Sequence, residues 1–152
     1  MEFRKATIED VETLMKLRKQ MFADDGLAAT CNIDEEMRDY FTSGFKDGSF
    51  IARFAIESGE IVAVGGVCVY ALSPSYNNPT GRVAYITNMF TQTEYRRKGI
   101  ASAILTMLLE DTRALGYSRI LLHASAMGRK VYEKFGFTDV AGYMALPLNT
   151  AE

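Results

Sequence analysis

The chain has 152 residues, of which 48% are hydrophobic and 24% charged, and its formal net charge is −2 at pH 7. This composition predicts a single folded domain over residues 1–152 and supports neither a general nucleic-acid surface nor a membrane span. The two cysteines, Cys31 and Cys68, have the spacing of neither a zinc site nor a disulfide framework, which favours reduced thiols in a cytoplasmic protein without a metal.

The first half of the chain predicts a strand, two helices and a β-hairpin. In chain order these elements are a strand at 3–6, a helix starting at about 11, a helix at about 34–45, and strands at 49–56 and 61–72. The run from Thr7 to Asp10 has the pattern of a capping box, which marks the start of the first helix. Ser58-Gly59 lies between two β-rich runs and predicts the tip of the hairpin.

The second half alternates strands and helices, which is typical of an α/β or α+β domain with a mixed sheet. Its predicted elements are a loop at 73–81, a strand at 83–91, a helix at 99–115, a strand at 118–123, a helix at 126–135 and a last strand at 144–148. Apolar residues of the long helix recur at helical spacing, and Gly116 follows as expected just beyond a helix end. The unit from Val83 to His123 is expected to form a parallel strand–helix–strand crossover.

The most informative segment joins the predicted strand at 83–91 to the long helix, and it reads RRKGIAS from Arg96 to Ser102. A helix start carries unpaired N–H groups and partial positive charge, and a glycine there lets a bulky anion approach. The basic side chains before Gly99 add full charges, so the pattern favours a phosphate or pyrophosphate. Its spacing matches neither a P-loop nor a dinucleotide-binding glycine motif. The alternative is a solvated basic turn.

A second set of residues lies on the next predicted helix. Ser125, Gly128 and Tyr132 are spaced by three and four residues, so a helix places them on one face. Two small residues beside a tyrosine leave room for a ligand, and a neutral tyrosine, with an ordinary pKa of about 10, can protonate a departing thiolate. The alternative is a helix packed closely on the sheet with a half-buried tyrosine.

Together these residues resemble the GNAT superfamily of acyl-CoA-dependent N-acyltransferases over residues 83–137. The resemblance rests on Arg96-x-x-Gly99-x-Ala101, on the YEKFGF run from Tyr132 to Phe137, and on the order of strands and helices between them. It implies a single-domain GNAT-like α/β (α+β) fold, with a mixed twisted sheet of about six to seven strands flanked by about four helices. The N-terminal half fits the family's opening elements but carries no diagnostic motif.

The resemblance also implies the reaction, which is transfer of the acetyl group of acetyl-CoA to a primary amine of a small molecule or peptide. The amine attacks directly in a ternary complex, Tyr132 is the expected general acid, and strand main-chain groups are expected to pair with the pantetheine arm. The residues expected to bind the cofactor are Met89, Phe90, Thr91, Arg96, Arg97, Lys98, Gly99, Ile100, Ala101, Ser102, Ser125 and Gly128. No metal is expected, and the family habit favours a homodimer.

Two positions depart from the family pattern. Many relatives carry an acidic general base where this chain has Thr87-Asn88, and many carry asparagine in place of Ser125. The base is therefore unassigned, and a non-catalytic acyl-CoA sensor is the alternative function. His123 is either a candidate base or a structural histidine. Carboxylates in or near the loop after the first helix, which either attract a cationic amine or are simply solvated, are Asp24, Asp25, Glu35 and Glu36.

Overall fold

Five strands form one mixed sheet in the computed structural model, which describes residues 1–148. Strands adjacent in the sheet are consecutive in the chain, and the first three pairings are antiparallel while the last is parallel. The strands are β1 (Glu2–Lys5), β2 (Phe50–Glu57), β3 (Glu60–Ala71), β4 (Arg82–Thr91) and β5 (Ile120–Leu121). The α-helices are α1 (Val11–Asp24), α2 (Asp34–Asp47), α3 (Ile100–Ala114) and α4 (Arg129–Lys134). The α/β class and the mixed sheet are as the sequence predicted.

Helices cover both faces of the sheet. On one face, the buried side chains of α1 and α2 include Leu14 and Phe41, which pack with Phe50 and Phe54 of β2. On the other face, the buried core consists mainly of Val62, Ala63, Val67, Ile104, Leu105 and Leu108. Each large apolar side chain buried in this way contributes about 1.5–3 kcal/mol. The core therefore fixes how α3 lies on the sheet, and with it the position of the segment that precedes the helix.

Three local predictions are confirmed in detail. Ser58 and Gly59 join β2 to β3 with φ of 52° and 82°, as a tight hairpin turn requires. At the start of the first helical segment the Asp10 carboxylate accepts a hydrogen bond of 2.8 Å from the Thr7 N–H. Gly116 follows α3 with φ of 86°, the left-handed conformation that commonly ends a helix.

The sheet has fewer strands than predicted within residues 1–148. Residues 144–148 form no strand there, and the alternating Met144, Leu146 and Leu148 are 97%, 79% and 88% exposed. An alternating pattern predicts which side chains would face a core, but a strand also needs a neighbouring backbone for its N–H and C=O groups. Residues 149–152 of the predicted domain lie outside the described part of the chain.

The last two elements are also shorter than predicted. The strand expected at 118–123 is confined to Ile120–Leu121, and the helix expected from residue 126 begins at Arg129. Only Ile120 and Leu121 of the predicted strand pair with β4. Residues 122–128, which follow the strand, form irregular backbone and turns.

Within residues 1–148, no helix combines the length and the apolar character that crossing a membrane requires. The same residues contain no group of three or more His, Cys, Asp or Glu side chains placed to hold a metal ion. Both cysteines are free thiols, Cys31 exposed and Cys68 half-buried.

Candidate active site

The site begins where the two parallel strands separate. β5 pairs with β4 only at Ala84 with Ile120 and at Tyr85 with Leu121. Beyond Tyr85, β4 continues to Thr91 beside β3, but no described strand pairs with its other edge. The N–H and C=O groups on that edge can therefore bind an extended ligand as an added strand would.

A bulge in β4 falls within this open part of the strand. Gly66 pairs with Thr87 and Val64 with Phe90, so β4 has one residue more than β3 over this interval. Asn88 takes the extra position with φ of 56°, a left-handed conformation that asparagine tolerates better than most residues. The bulge turns Thr87 and Asn88 toward α1, where both lie within hydrogen-bond distance of Arg18.

The start of α3 faces open space. Gly99 precedes the helix with φ of 79°, and a Cβ placed there would have no neighbouring atom within 4 Å. Arg97 also has a positive φ, of 61°, so the chain makes a sharp turn into the helix. The first turn of α3 contains no acidic residue and its N-terminus has no side-chain cap. Its N–H groups and partial positive charge are thus available to an anion.

A cavity of about 730 Å³ connects the open edge of β4 with the start of α3. All the residues predicted to bind the cofactor line it except Lys98, namely Met89, Phe90, Thr91, Arg96, Arg97, Gly99, Ile100, Ala101, Ser102, Ser125 and Gly128. The Lys98 ammonium instead lies 5.1 Å from the centre of the Tyr95 ring. Tyr132 also lines this cavity, so the two predicted groups of site residues meet in one space.

Arg96 is held by protein groups. Its Nε donates a 2.8 Å hydrogen bond to the Thr91 carbonyl, and its Nη2 is paired with the Asp24 carboxylate. The sequence left Asp24 as either a group that attracts a cationic amine or a solvated carboxylate, and in the structure it is paired with this guanidinium. Arg96 thereby links the end of β4 to the end of α1, and all three residues line the cavity.

Tyr132 is packed closely at the inner end of the same cavity. A Cβ at Gly128 would lie 3.0 Å from Cε2 of its ring, and the Gly128 N–H donates a 3.1 Å hydrogen bond to Ser125 Oγ. The ring packs edge-on against Phe137 with centroids 5.8 Å apart. Burial raises the pKa of Tyr132, and nearby Tyr85 adds to the increase. The phenol is therefore held in its proton-bearing form.

Tyr132 also lines a second cavity, of about 490 Å³. Tyr70 and Tyr85 contribute to this smaller cavity with ring centroids 6.5 Å apart, and exposed His123 lies on its wall. Its carboxylates, Glu133 and Asp139, are both paired with Arg129. A tyrosine between two cavities can contact one ligand in each.

Arg18 was missed by the sequence analysis. Its Nη1 donates to Asn88 Oδ1 and approaches Thr87 Oγ1 at 3.5 Å, at the positions where an acidic base was sought. A signal was present, because Arg18 continues the stripe of Val11, Leu14 and Met15 on the buried side of α1. A charged residue on an apolar stripe is worth notice, since burying a charge is costly. Glu35 and Glu36 lie exposed in the first turn of α2, in agreement with the alternative that they are solvated.

Comparison with known proteins gives a consistent family. The sequence model described as an acetyltransferase (GNAT) domain matches residues 2–140. The chain is 26% identical over 148 residues to the uncharacterized N-acetyltransferase YjgM of Escherichia coli strain K12, covering 90% of this chain and 81% of the relative.

Solved structures agree with the family match. A predicted acetyltransferase from Clostridium acetobutylicum, crystallised with acetyl-CoA, is 34% identical with a TM-score of 0.93, covering 97% of this chain and 96% of the other. A GCN5-related N-acetyltransferase from Ralstonia eutropha JMP134 is 25% identical with a TM-score of 0.83, covering 97% of each chain. The likeness thus extends over nearly the whole fold.

Proposed function

The chain belongs to the GNAT family of acetyltransferases, and from this premise we propose that it transfers the acetyl group of acetyl-CoA to a primary amine of a small molecule or peptide. One observation carries the proposal: Tyr132 lies between a cavity bounded by the open β4 edge and the α3 start, and a second cavity suited to an acceptor. We propose that the chain does this as a single domain.

The larger cavity suits acetyl-CoA in three respects. The unpaired edge at Met89, Phe90 and Thr91 offers main-chain groups to the amide-rich pantetheine arm, as in strand addition. The N–H groups from Arg97 to Ser102 offer a pyrophosphate site where no side-chain cap competes. The empty space beside Gly99 leaves room for a bulky phosphate. When bound, acetyl-CoA supplies the thioester that the amine attacks.

The chain's own part in the reaction is orientation and proton transfer. An amine bound in the smaller cavity lies beside Tyr132, which converts an encounter in solution into a reaction between held groups. Tyr132, kept protonated by burial, gives its proton to the departing thiolate. Since Thr87 and Asn88 carry no carboxylate, the amine releases its proton to water in the smaller cavity, near His123.

The test is thiol release from acetyl-CoA, followed with a chromogenic disulfide across a panel of amines. The proposal expects release with one class of amine and strong loss of that release in Tyr132→Phe. Acetyl-CoA binding without release for any amine would instead favour a non-catalytic acyl-CoA sensor, which the missing acidic residue at Thr87-Asn88 would then explain. Absence of acetyl-CoA binding would refute both functions.

A further inference from the structure

Arg18 is a half-buried cation beside the candidate active site. It extends from the buried stripe of α1 toward the bulge of β4, and its guanidinium lies 4.7 Å from the centre of the Phe22 ring. Its Nη1 makes its hydrogen bonds to neutral oxygens, those of the Thr87 hydroxyl and the Asn88 amide. Its position is thus set by three residues of α1 and β4, and none of them neutralises its charge.

No carboxylate within residues 1–148 lies at ion-pair distance from Arg18. The arginines that do have carboxylate partners there are Arg4, Arg38, Arg53, Arg96 and Arg129. Burial lowers the pKa of the Arg18 guanidinium, as expected for a cation withdrawn from water with little compensation. An arginine remains charged even so, and the site therefore carries a net positive charge.

Asn88 adds a second unused donor at the same place. The side chain is 5% exposed, its Oδ1 accepts from Arg18, and its Nδ2 has no hydrogen-bond partner among the described residues. A buried N–H group without a partner is costly, so such groups are normally satisfied by protein, water or ligand. A cation without a carboxylate partner and a neighbouring N–H group without an acceptor form a set of donors that suits an anion.

Arg18 lies near the residues where the two cavities approach each other along β4. Tyr85 lies two residues before Thr87 on the same strand and lines the smaller cavity. Met21 lies one turn beyond Arg18 on α1 and lines the larger one. Arg18 itself lines neither cavity, but Thr87 and Asn88, which accept its hydrogen bonds, lie on β4 between Tyr85 of the smaller cavity and Met89 of the larger one.

We propose that Arg18, positioned and assisted by Asn88, binds a carboxylate of the acceptor, so that the substrate is an amino-acid-type molecule with a primary amine and a carboxylate. The inference rests on the proposed acetyltransferase function and gives it a substrate class. The planar guanidinium pairs well with a carboxylate through two nitrogens, and Nη2 and Nε are left for this role. The same charge disfavours polyamines and aminoglycosides, which bring several cations.

The test compares matched acceptors in the thiol-release assay: a panel of L-amino acids, their carboxamides, and the decarboxylated amines. The expected kcat/KM is about 10-fold or more higher for the acids, because the charge-assisted contact is lost in the other two. This comparison uses the unmodified protein, so it does not depend on any variant folding. Equal rates for acids and carboxamides would overturn the proposal, and so would a preference for phosphate-bearing amines over carboxylate-bearing ones.

Variants then assign the preference to the residue. Arg18→Met is expected to remove the acid-over-amide preference mainly through KM, while Arg18→Lys retains part of it. Arg113→Met, an exposed position on α3, serves as the matched control and should leave the preference unchanged. Preserved acetyl-CoA binding by Arg18→Met shows that the fold is intact. An unchanged preference in Arg18→Met overturns the assignment, whereas no thiol release from any amine would instead count against the proposed function.

Discussion

The position of Tyr132 gives a sharp test of its role. The side chain lines both cavities, and the close approach of its ring to Gly128 fixes where the hydroxyl points. Tyr132→Phe keeps this packing but removes the proton, so kcat should fall by about 10²–10⁴-fold. The dissociation constant for acetyl-CoA should stay nearly unchanged. Steady-state kinetics and calorimetric titration measure the two quantities separately.

The matched control for this substitution is Tyr76→Phe. Tyr76 is fully exposed in the loop before β4, so removing its hydroxyl should change neither kcat nor acetyl-CoA affinity. Equal losses of turnover and of affinity in Tyr132→Phe would show that the residue supports binding and does not act as the acid.

The pH dependence of turnover follows from the environment of Tyr132. Burial first, and Tyr85 second, raise the pKa of the Tyr132 phenol above the ordinary value of about 10. A general acid works only while protonated, so a raised pKa extends activity toward high pH. The basic limb of the kcat profile should lie above pH ~10. A basic limb well below that value, still present in Tyr132→Phe, would assign it to another group.

At the scale of an element, the start of α3 is the feature that selects an anion. Ala101→Glu adds bulk and negative charge to the first turn, where the helix would otherwise attract a pyrophosphate, and should abolish acetyl-CoA binding. Thr106→Glu places the same carboxylate on an exposed part of the same helix and should leave binding nearly intact. Calorimetric titration of both variants checks the prediction, and undiminished affinity in Ala101→Glu would contradict the assignment of this segment.

The entry to α1 is a second element whose contribution can be measured. Asp10 accepts two 2.8 Å hydrogen bonds from Arg4, and these, more than the Thr7 N–H, lower the pKa of its carboxyl despite burial. A lowered pKa stabilises the fold above the unfolded value near ~3.9, and this stability is lost as pH falls through the folded value. Asp10→Asn should therefore reduce the free energy of unfolding by about 1 kcal/mol at pH 7, with the difference shrinking in acid.

Denaturant unfolding at pH 7 and at pH 3 measures this difference. Glu9→Gln, an exposed position in the same turn, is the matched control and should have little effect at either pH. A constant difference between Asp10→Asn and the parent chain at both values would show that the carboxylate charge is not what stabilises the turn.

Elements whose cause is local were the ones that the sequence could predict. The hairpin at Ser58-Gly59 and the turn at Gly99 follow from short-range backbone chemistry, and both contain a glycine with the positive φ that glycine adopts readily. The apolar stripe of α3 could also be predicted, because the spacing of its apolar residues depends only on the geometry of the helix. Family resemblance then joined Gly99 to Tyr132, two residues that spacing alone could not have brought together.

The features that sequence could not predict depend on partners distant in the chain. Leu146 alternates with its neighbours as a strand residue should, yet it is 79% exposed because no strand in the described sheet pairs with that segment. Arg18 is separated from Asn88 by 70 positions, and the bulge that brings them together arises from the register between β3 and β4. The pairing of Arg96 with Asp24 likewise joins residues 72 positions apart.

At the scale of the whole molecule, the candidate active site lies where β4 and β5 separate, next to helices that belong to both core clusters. α3 packs on one face of the sheet and begins at the larger cavity, whereas α1 packs on the other face and ends at the same cavity. A ligand in this cavity therefore contacts elements from both core clusters. Because it binds the folded chain and not the unfolded one, its binding free energy adds directly to stability.

Acetyl-CoA should consequently raise the melting temperature in a concentration-dependent way. At about 100 times the dissociation constant the stabilisation is about 2.7 kcal/mol, which for a chain of this length corresponds to roughly 5–10 °C. The shift should shrink as salt is added, because the pyrophosphate meets basic groups and a helix start that are open to solvent. Ala101→Glu should lose the shift while Tyr132→Phe keeps it, since the first change blocks the anion and the second leaves the cavity intact. Differential scanning fluorimetry measures the shift, its dependence on salt and its size in the two variants. A shift in Ala101→Glu equal to that of the parent chain would place acetyl-CoA elsewhere on the molecule.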